Sequence, residues 1–421
     1  MSTPALLVAA GVYALLFWSV AAWSSRWALL LIFAVTPFQN DVSGGGPLRF
    51  SLAEVNLLLC LPILFFKARR LQFGPTFLPA CVYLAVCLFS ALGQWRPSTA
   101  QSLVQAGIFT VALVTVFASL ARETEDYRLA INGLIVVAIA LAFAVFLSGS
   151  SYVFGLNKNG VGASLASTFV VALEMWLRAR SGRARTFYLL ACLIIGFGCL
   201  ITVSRGAWLT AITGSIVVLL MHGRIGLILK SAAAMIPLLA LGWWLLPENS
   251  REYALGFGHE RTNIQLRYES IAYAQTLFAE NPLQGAGMGL RKDYDATNVV
   301  LLCLAETGVP GLLTFLGLNA AACWMVWRPY RRTPPHTLAA SLLVIAPALI
   351  VGKFMHGLVD HYWSRGSLTT AWAAVGMATF VISEQRRQRR RLARELAAPD
   401  PAVETLPWQP VREAALAGRS P

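Results

Sequence analysis

Arg205 is a charged residue in an apolar part of the chain. It lies in ITVSRGAWLT, between the apolar runs FYLLACLIIGFGCL and AITGSIVVLL. A charge there is costly unless its side chain reaches the membrane interface or serves a site. The planar guanidinium can bind two oxygen atoms at once, which suits a phosphate group. We therefore expect Arg205 to bind an anionic group at the end of its helix. The structural alternative is a side chain that only reaches lipid headgroups.

A second group of reactive side chains lies in GKFMHGLVDHYWSRG, residues 352–366. Lys353, His356 and Asp360 are spaced three and four residues apart, so a helix would place them on one face. A carboxylate that orients an imidazole makes a general base. We predict His356 and Asp360 as catalytic residues, with His361 as the reserve. The structural alternative is a hydrogen-bonded pair that closes a helix end.

The segment TNIQLRYESIAYAQTLFAENP predicts an amphipathic helix that lies on the membrane surface. Thr262 followed by Gln265 is typical of a capping box, and Pro282 predicts the end of the helix. Arg261 and Arg267 stand near its start. They are candidates for binding an anionic substrate, with anchoring to lipid headgroups as the alternative.

Three glycines follow this helix in PLQGAGMGLRKDYDATN. Gly285, Gly287 and Gly289 predict a flexible turn that could approach a ligand closely, because glycine adopts conformations closed to other residues. No strand precedes them, so they do not form a dinucleotide-binding fingerprint. The whole segment 247–296 is longer than a simple connection requires, which indicates a functional loop.

Composition indicates which elements must position these residues. The chain is 57% hydrophobic and 13% charged, with a mean hydropathy of +0.62. Soluble proteins carry about 25% charged residues, and a membrane-spanning helix needs about 20 apolar ones. The runs are continuously apolar rather than alternating, which excludes a barrel. The predicted fold is an all-α, polytopic transmembrane helical bundle in contact with membrane lipids.

Twelve or thirteen spans are predicted. The count depends on the second, 27–38, which is short and is either a span or a re-entrant segment. The spans are roughly 5–23, 27–38, 51–66, 76–93, 101–120, 129–149, 160–177, 186–203, 206–221, 229–246, 297–327, 337–355 and 367–383. We divide the chain into N-terminal membrane helices (1–246), an extracytoplasmic loop with the amphipathic helix (247–296), C-terminal membrane helices (297–383) and a basic tail predicted to be disordered (384–421).

The net charge of +14 follows the positive-inside rule and does not indicate nucleic-acid binding. Basic residues cluster in short loops, such as KARR, RARSGRAR and RPYRR, which are predicted to be cytoplasmic. His222 and His336 lie in such loops, and we predict no role for them. By alternation, Arg205, the 247–296 loop and the 356–366 segment face the other side. The seven cysteines predict neither a metal site nor disulfides.

Three segments, taken in order, resemble the O-antigen ligase and O-antigen polymerase superfamily. They are SRGAWLT at the end of a span, NPLQGAGMG in the large outer loop, and NVVLLCLAETGVPGLLTF at the start of the next span. The similarity covers roughly residues 200–330, and the layout of spans extends it over most of the chain.

The resemblance implies a GT-C-like glycosyltransferase in the bacterial inner membrane, with its active site facing the periplasm. Its substrate would be a glycan carried on undecaprenyl pyrophosphate. The acceptor would be a growing glycan, the lipid A core or, in some branches, a protein. The resemblance implies no metal ion, cofactor or nucleotide sugar. Family arginines, matched by Arg205 and by Arg261 or Arg267, would hold the pyrophosphate leaving group. Lys158 is a further candidate for binding it.

One position departs from the family pattern. Members commonly carry His-Asn just before the Leu-rich span, and that histidine is the proposed base. This chain has Thr297-Asn298 instead. We expect His356, with Asp360, to take that role from the next outer loop. The departure favours a polymerase of repeat units over a ligase.

Two other classes of protein fit parts of the pattern. A transporter or flippase for a lipid-linked or anionic solute would also have a dozen spans and intramembrane arginine. It predicts polar residues deep in several spans and often internal repeats, whereas the polar groups here gather towards one face. A non-catalytic membrane scaffold would not need charged groups in a large outer loop.

Overall fold

The protein is described by a computed structural model. It describes residues 3–42, 49–68, 70–148, 150, 152–226, 240, 244, 248, 260–290 and 296–397. Within these residues the chain is helical, and the β-structure there is a single isolated bridge between Val153 and Leu156. The prediction of an all-α fold is confirmed.

The described helices are given in chain order. They are α1 (Thr3–Trp23), α2 (Ser25–Phe33), α3 (Leu52–Lys67), α4 (Phe77–Gly93), α5 (Pro97–Gly107), a π-helical turn (Ile108–Leu113), α6 (Val114–Leu120), α7 (Asp126–Ser148), α8 (Lys158–Arg178), α9 (Gly182–Ile201), α10 (Arg205–Met221), α11 (Glu260–Glu280), α12 (Val299–Trp324), α13 (Trp327–Tyr330), α14 (Leu338–Gly357) and α15 (Ser367–Ala397).

Among the described residues, six helices are long and apolar enough to cross a membrane. They are Ser98–Leu120, Asp126–Ser148, Lys158–Arg178, Gly182–Ile201, Val299–Tyr330 and Leu338–Gly357. Shorter apolar helices cover Val8–Trp23, Phe77–Gly93 and Arg205–Met221. The chain is thus a multi-pass membrane protein. The predicted span 229–246 lies outside the described residues apart from 240 and 244, and the total of twelve or thirteen spans stays a prediction.

Met1–Ile382 form one compact unit, and Ser383–Pro421 form a second. In the second unit the end of α15 carries exposed arginines, and Arg387 pairs with Glu384 at 2.5 Å. The tail 384–421 was predicted to be disordered, but α15 extends to Ala397, so residues 384–397 are helical, since arginine, leucine and alanine favour a helix. The rest of the predicted tail, after residue 397, lies outside the described residues. The predicted divisions within the first unit stay predictions.

Small residues bring α10 against α14. A Cβ on Gly352 would lie 3.1 Å from the carbonyl oxygen of Thr210, and one on Gly214 would lie 3.2 Å from the carbonyl oxygen of Ala348. Such glycines let helix backbones approach closely, which is how membrane helices associate. The order of these contacts makes the two helices antiparallel, so α10 begins where α14 ends.

Helices α8 and α10 run in parallel and are joined at their C-terminal ends by a buried ionic cluster. Glu174, fully buried, accepts from Nε of Arg178 at 2.5 Å and contacts Nε2 of His222 at 2.8 Å. Arg178 donates to the hydroxyl of Tyr330 at 3.0 Å, and that hydroxyl donates to the carbonyl of Met221 at 2.7 Å. We call these four ionic and phenolic side chains the Glu174 cluster. His222, for which no role was predicted, thus joins α10 to α8.

The predicted surface helix is α11, but its start differs from the prediction. It begins at Glu260, so Thr262 lies inside the first turn and does not precede the helix. The Gln265 amide donates to the Glu269 carboxylate at 2.9 Å. The capping-box prediction for Gln265 was wrong because a side chain inside a helix can also bond four residues ahead. Pro282 follows the end of α11 at Glu280, as predicted.

Candidate functional site

Arg205 is the first residue of α10, and its side chain is exposed. The cap residue Ser204 makes no side-chain hydrogen bond to the first turn. The first N–H groups of a helix lack partners within it, so this end carries a partial positive charge. The guanidinium and the helix end therefore favour an anion at the same place.

Lys158 begins α8 at the same end of the bundle as Arg205. A Cβ on Gly162, one turn into α8, would lie 2.7 Å from Oγ1 of Thr202 and 2.9 Å from Cβ of Ser204. The starts of the two helices therefore pack directly on each other. This end of the bundle has two cationic side chains at two helix N-termini.

The imidazole of His356 packs against the residue after Arg205. A Cβ on Gly206 would lie 2.9 Å from Nε2 of His356, so only glycine leaves room for the ring. Nδ1 lies 3.3 Å from Oγ1 of Thr210, and Nε2 lies 3.6 Å from Oδ2 of Asp360. His356 is 2% exposed. Both ring nitrogens thus face protein groups, and the ring is fixed between α10 and α14.

Asp360 contacts a second histidine, which faces solvent. Its Oδ1 accepts from the backbone N–H of His361 at 2.8 Å and lies 3.9 Å from Nε2 of that imidazole. Burial of Asp360 raises its pKa, but the neighbouring His356 and His361 outweigh this effect and hold the pKa well below its ordinary value. The side chain of His361 is 52% exposed. A carboxylate that stays ionised therefore lies between a buried and an exposed imidazole.

Two contacts tie the loop that carries these residues to α11 and to the start of α12. Nη1 of Arg267, on the exposed face of α11, donates to the carbonyl of Val359 at 3.2 Å. The amide of Asn298 donates to the carbonyl of Leu358 at 3.1 Å, while its Oδ1 caps α12. Thr297 therefore immediately precedes a residue in direct contact with this loop.

The geometry brings most of the predicted residues to one end of the bundle. They are Lys158, Arg205, Arg267, His356, Asp360 and His361. Arg261 lies in the first turn of α11, and its side chain is outside the described part of the chain. Sequence reasoning missed Gly206 and the tie made by Asn298. The signal for Gly206 was its place beside Arg205 in SRGAW, since a small residue there permits close packing.

The three glycines of GAGMG are buried and approach protein backbone. Gly285, Gly287 and Gly289 have φ of 76°, 97° and 111°, values that favour glycine. A Cβ on Gly287 would lie 2.8 Å from the carbonyl oxygen of Gln94, and one on Gly289 would lie 2.9 Å from the amide nitrogen of Thr99. The close approach that these glycines permit is thus to neighbouring segments of the chain. A ligand at this turn stays a prediction.

Among the described residues, no group of three or more His, Cys, Asp or Glu side chains could hold a metal ion. None of the seven cysteines, all of which lie in the described part of the chain, forms a disulfide.

Residues 190–316 match a family model described as O-Antigen ligase. The match supports the resemblance to the O-antigen ligase and polymerase superfamily. The matched stretch contains Arg205, Arg261 and Arg267, and ends before His356, Asp360 and His361. Comparison with curated proteins gives no match.

Proposed function

Starting from the family match over residues 190–316, we propose that this chain is a membrane glycan transferase of the O-antigen ligase and polymerase type. It takes a glycan linked to undecaprenyl pyrophosphate at the periplasmic face of the bacterial inner membrane. It adds that glycan to another glycan and so polymerises repeat units of an O-antigen or exopolysaccharide.

One observation carries this proposal. Arg205 begins α10 at the surface, and the next residue, Gly206, packs against His356 beside Asp360. A cation and a carboxylate–histidine group therefore share one end of the bundle. Transfer from a pyrophosphate needs both, since a negative leaving group departs while a hydroxyl loses its proton.

In the proposed step, an acceptor hydroxyl oxygen bonds to the anomeric carbon of the donor glycan. The bond between that carbon and the pyrophosphate oxygen breaks, and its electron pair leaves with the lipid pyrophosphate. The hydroxyl proton passes to a histidine. Arg205 and Arg267 stabilise the departing negative charge, and Lys158 adds to the positive potential at that end of the bundle. Arg261 is proposed for the same role from its place in the first turn of α11.

Exposure favours His361 over His356 as the base. The sequence put His356 first, with His361 in reserve. His356 is buried, and its two nitrogens face Thr210 and Asp360. The half-exposed His361 can contact an acceptor, with Asp360 beside it as the orienting carboxylate. We propose His361 as the catalytic base and His356 as the residue that holds Asp360 in place.

The second candidate is a ligase that transfers the finished glycan to the lipid A core. It is favoured by the description of the matching family, O-Antigen ligase. The polymerase is favoured by Thr297 at the position where family members commonly carry the histidine base.

The surface glycan of a strain that lacks this chain distinguishes the two candidates. Single repeat units attached to the core would identify a polymerase. Bare core, with long lipid-linked chains accumulating, would identify a ligase. An unchanged surface glycan would contradict both. Loss of lipid-linked units from the outer leaflet would instead identify a flippase.

The Arg205→Ala variant tests the site within the same strain. We expect transfer to fall by about 10²- to 10³-fold, because a preorganised donor to the leaving group is lost. Arg183→Ala is the matched control, since Arg183 is an exposed arginine in the first turn of α9 at the other end of the bundle. Equal effects of the two substitutions would contradict the proposed site. Activity of the purified chain in excess chelator tests the proposed independence from metal ions.

A further inference from the structure

Lys353 is a buried cation on α14 that the proposed reaction does not use. It is 1% exposed and lies within Leu338–Gly357, one of the helices apolar enough to cross a membrane. A buried ammonium is costly unless hydrogen bonds compensate for the lost water. Its Nζ also lies 5.7 Å from the centre of the Tyr362 ring, at cation–π distance.

The hydrogen bonds of Lys353 go to the turn that carries the exposed histidine. Nζ donates to the carbonyl of His361 at 3.1 Å and to Oγ of Ser364 at 2.8 Å. Oγ of Ser364 in turn donates to the same carbonyl at 3.2 Å. The N–H of His361 donates to Asp360. The backbone of His361 is therefore held at two groups: its N–H by the carboxylate of Asp360, and its carbonyl by the ammonium of Lys353.

The far end of the same loop is also anchored. Nε of Arg365 lies 3.0 Å from Oε2 of Glu54, which is fully buried and forms a capping box with Ser51 at the start of α3. Leu358, at the near end, is held by Asn298. With both ends fixed, the position of the His361 side chain depends on the turn between them, where Lys353 donates.

We propose that Lys353 is a positioning residue that holds the 358–366 loop so that the His361 imidazole meets the acceptor hydroxyl. This role rests on the proposed transferase function. Lysine suits it because one compact ammonium supplies three donors. Its burial keeps it from substrate, so its effect on the reaction passes through His361.

A double-mutant cycle tests this role in the purified, full-length chain. Lys353→Met is expected to lower kcat for transfer by about 10- to 100-fold, because misplacing a reacting group by about 1 Å costs up to about 10²-fold. KM for the lipid-linked donor should change little. In a His361→Ala background the same substitution should have almost no further effect. Lys353→Arg, which keeps the charge, should restore part of kcat. Additive effects on kcat would overturn the inference.

A second readout does not depend on transfer. The rate at which diethyl pyrocarbonate modifies His361, followed by mass spectrometry, should change several-fold in Lys353→Met, while exposed His336 serves as the internal control. An unchanged rate at His361 would overturn the positioning role. A changed rate in a chain that shows no transfer at all would contradict the proposed function and leave the positioning role standing.

Discussion

The two ends of the α8–α10 pair contain the same kinds of side chain in different states. At the C-terminal ends, the Glu174 cluster joins a carboxylate, an arginine and a histidine through contacts of 2.5 and 2.8 Å. At the N-terminal ends, Asp360 lies 3.6 Å from one histidine and 3.9 Å from another. We call the C-terminal end closed, because its charged groups are buried and paired, and the N-terminal end open, because His361 there is half exposed.

The difference between the two ends indicates that the same residue types can serve stability or reaction, depending on their burial and on the distances between them. A fully satisfied buried network fixes helices relative to one another, and removing one member leaves a buried charge unpaired. A carboxylate with looser contacts and a half-exposed imidazole beside it can exchange a proton with another molecule. We therefore expect the first group to contribute to stability and, under the proposed function, the second to contribute to turnover.

The largest expected effect is on turnover, from loss of the exposed histidine. His361→Ala should lower kcat by about 10²- to 10⁴-fold, the range for a general base, with the unfolding midpoint in detergent nearly unchanged. His336→Ala is the control, since His336 is exposed in the loop before α14. Wild-type turnover in His361→Ala would remove the distinction between the two ends.

The next effect is on stability, from the closed end. Glu174→Gln should lower the free energy of unfolding by about 3–5 kcal/mol, because Arg178 is left buried without its counter-charge. Turnover per folded molecule should stay near wild type. Denaturant titration in detergent measures the first quantity, and kcat normalised to folded protein the second. A fall in normalised kcat with intact stability would make the closed end part of the reaction.

A methyl group added at Gly206, against the ring of the buried His356, should have a smaller effect. Gly206→Ala should lower kcat by about 10- to 100-fold, because the new Cβ would displace the His356 ring and with it Asp360. Gly317→Ala on α12 is the matched control, since nothing lies within 4 Å of a Cβ there. If both variants behave alike, the packing of Gly206 on His356 has no role in the reaction.

The smallest effect concerns pH. The pKa of Asp360 is held well below its ordinary value of about 3.9. Its ionised form therefore stabilises the fold above about pH 4, and this contribution is lost as the pH falls towards the folded pKa. Asp360→Asn should lower the free energy of unfolding by about 1–3 kcal/mol at pH 7, and by progressively less below about pH 4. Unfolding measured at pH 7 and pH 3 checks the sign, and a constant difference would contradict it.

Helix positions could be predicted because hydropathy acts locally. The predicted span 206–221 differs by one residue from α10, Arg205–Met221, and 160–177 falls within α8, Lys158–Arg178. The spacing of Lys353, His356 and Asp360 predicted one shared helix face, but α14 ends at Gly357, so Asp360 lies beyond the helix and reaches His356, at 3.6 Å, from the following turn. Periodicity carries such information because side-chain direction follows from the helix itself.

Partners distant in sequence could not be predicted. His222 contacts Glu174, 48 residues away, and Asn298 contacts Leu358, 60 residues away. These pairs depend on which helices pack together, and hydropathy does not specify that. The glycines of GAGMG show the same limit. Their spacing predicted a turn, and their φ values are positive, but their contacts with Gln94 and Thr99 could not be predicted from the sequence.

The gathering of residues from distant parts of the chain at one end of the bundle has a consequence for biosynthesis. Arg205 and Arg267 are translated well before Lys353 and His361. A nascent chain that contains α10 and α11 therefore carries the proposed pyrophosphate-binding arginines while the proposed base is still untranslated. Under the proposed mechanism, the order of synthesis makes substrate binding an early property of the growing chain and glycosyl transfer a late one.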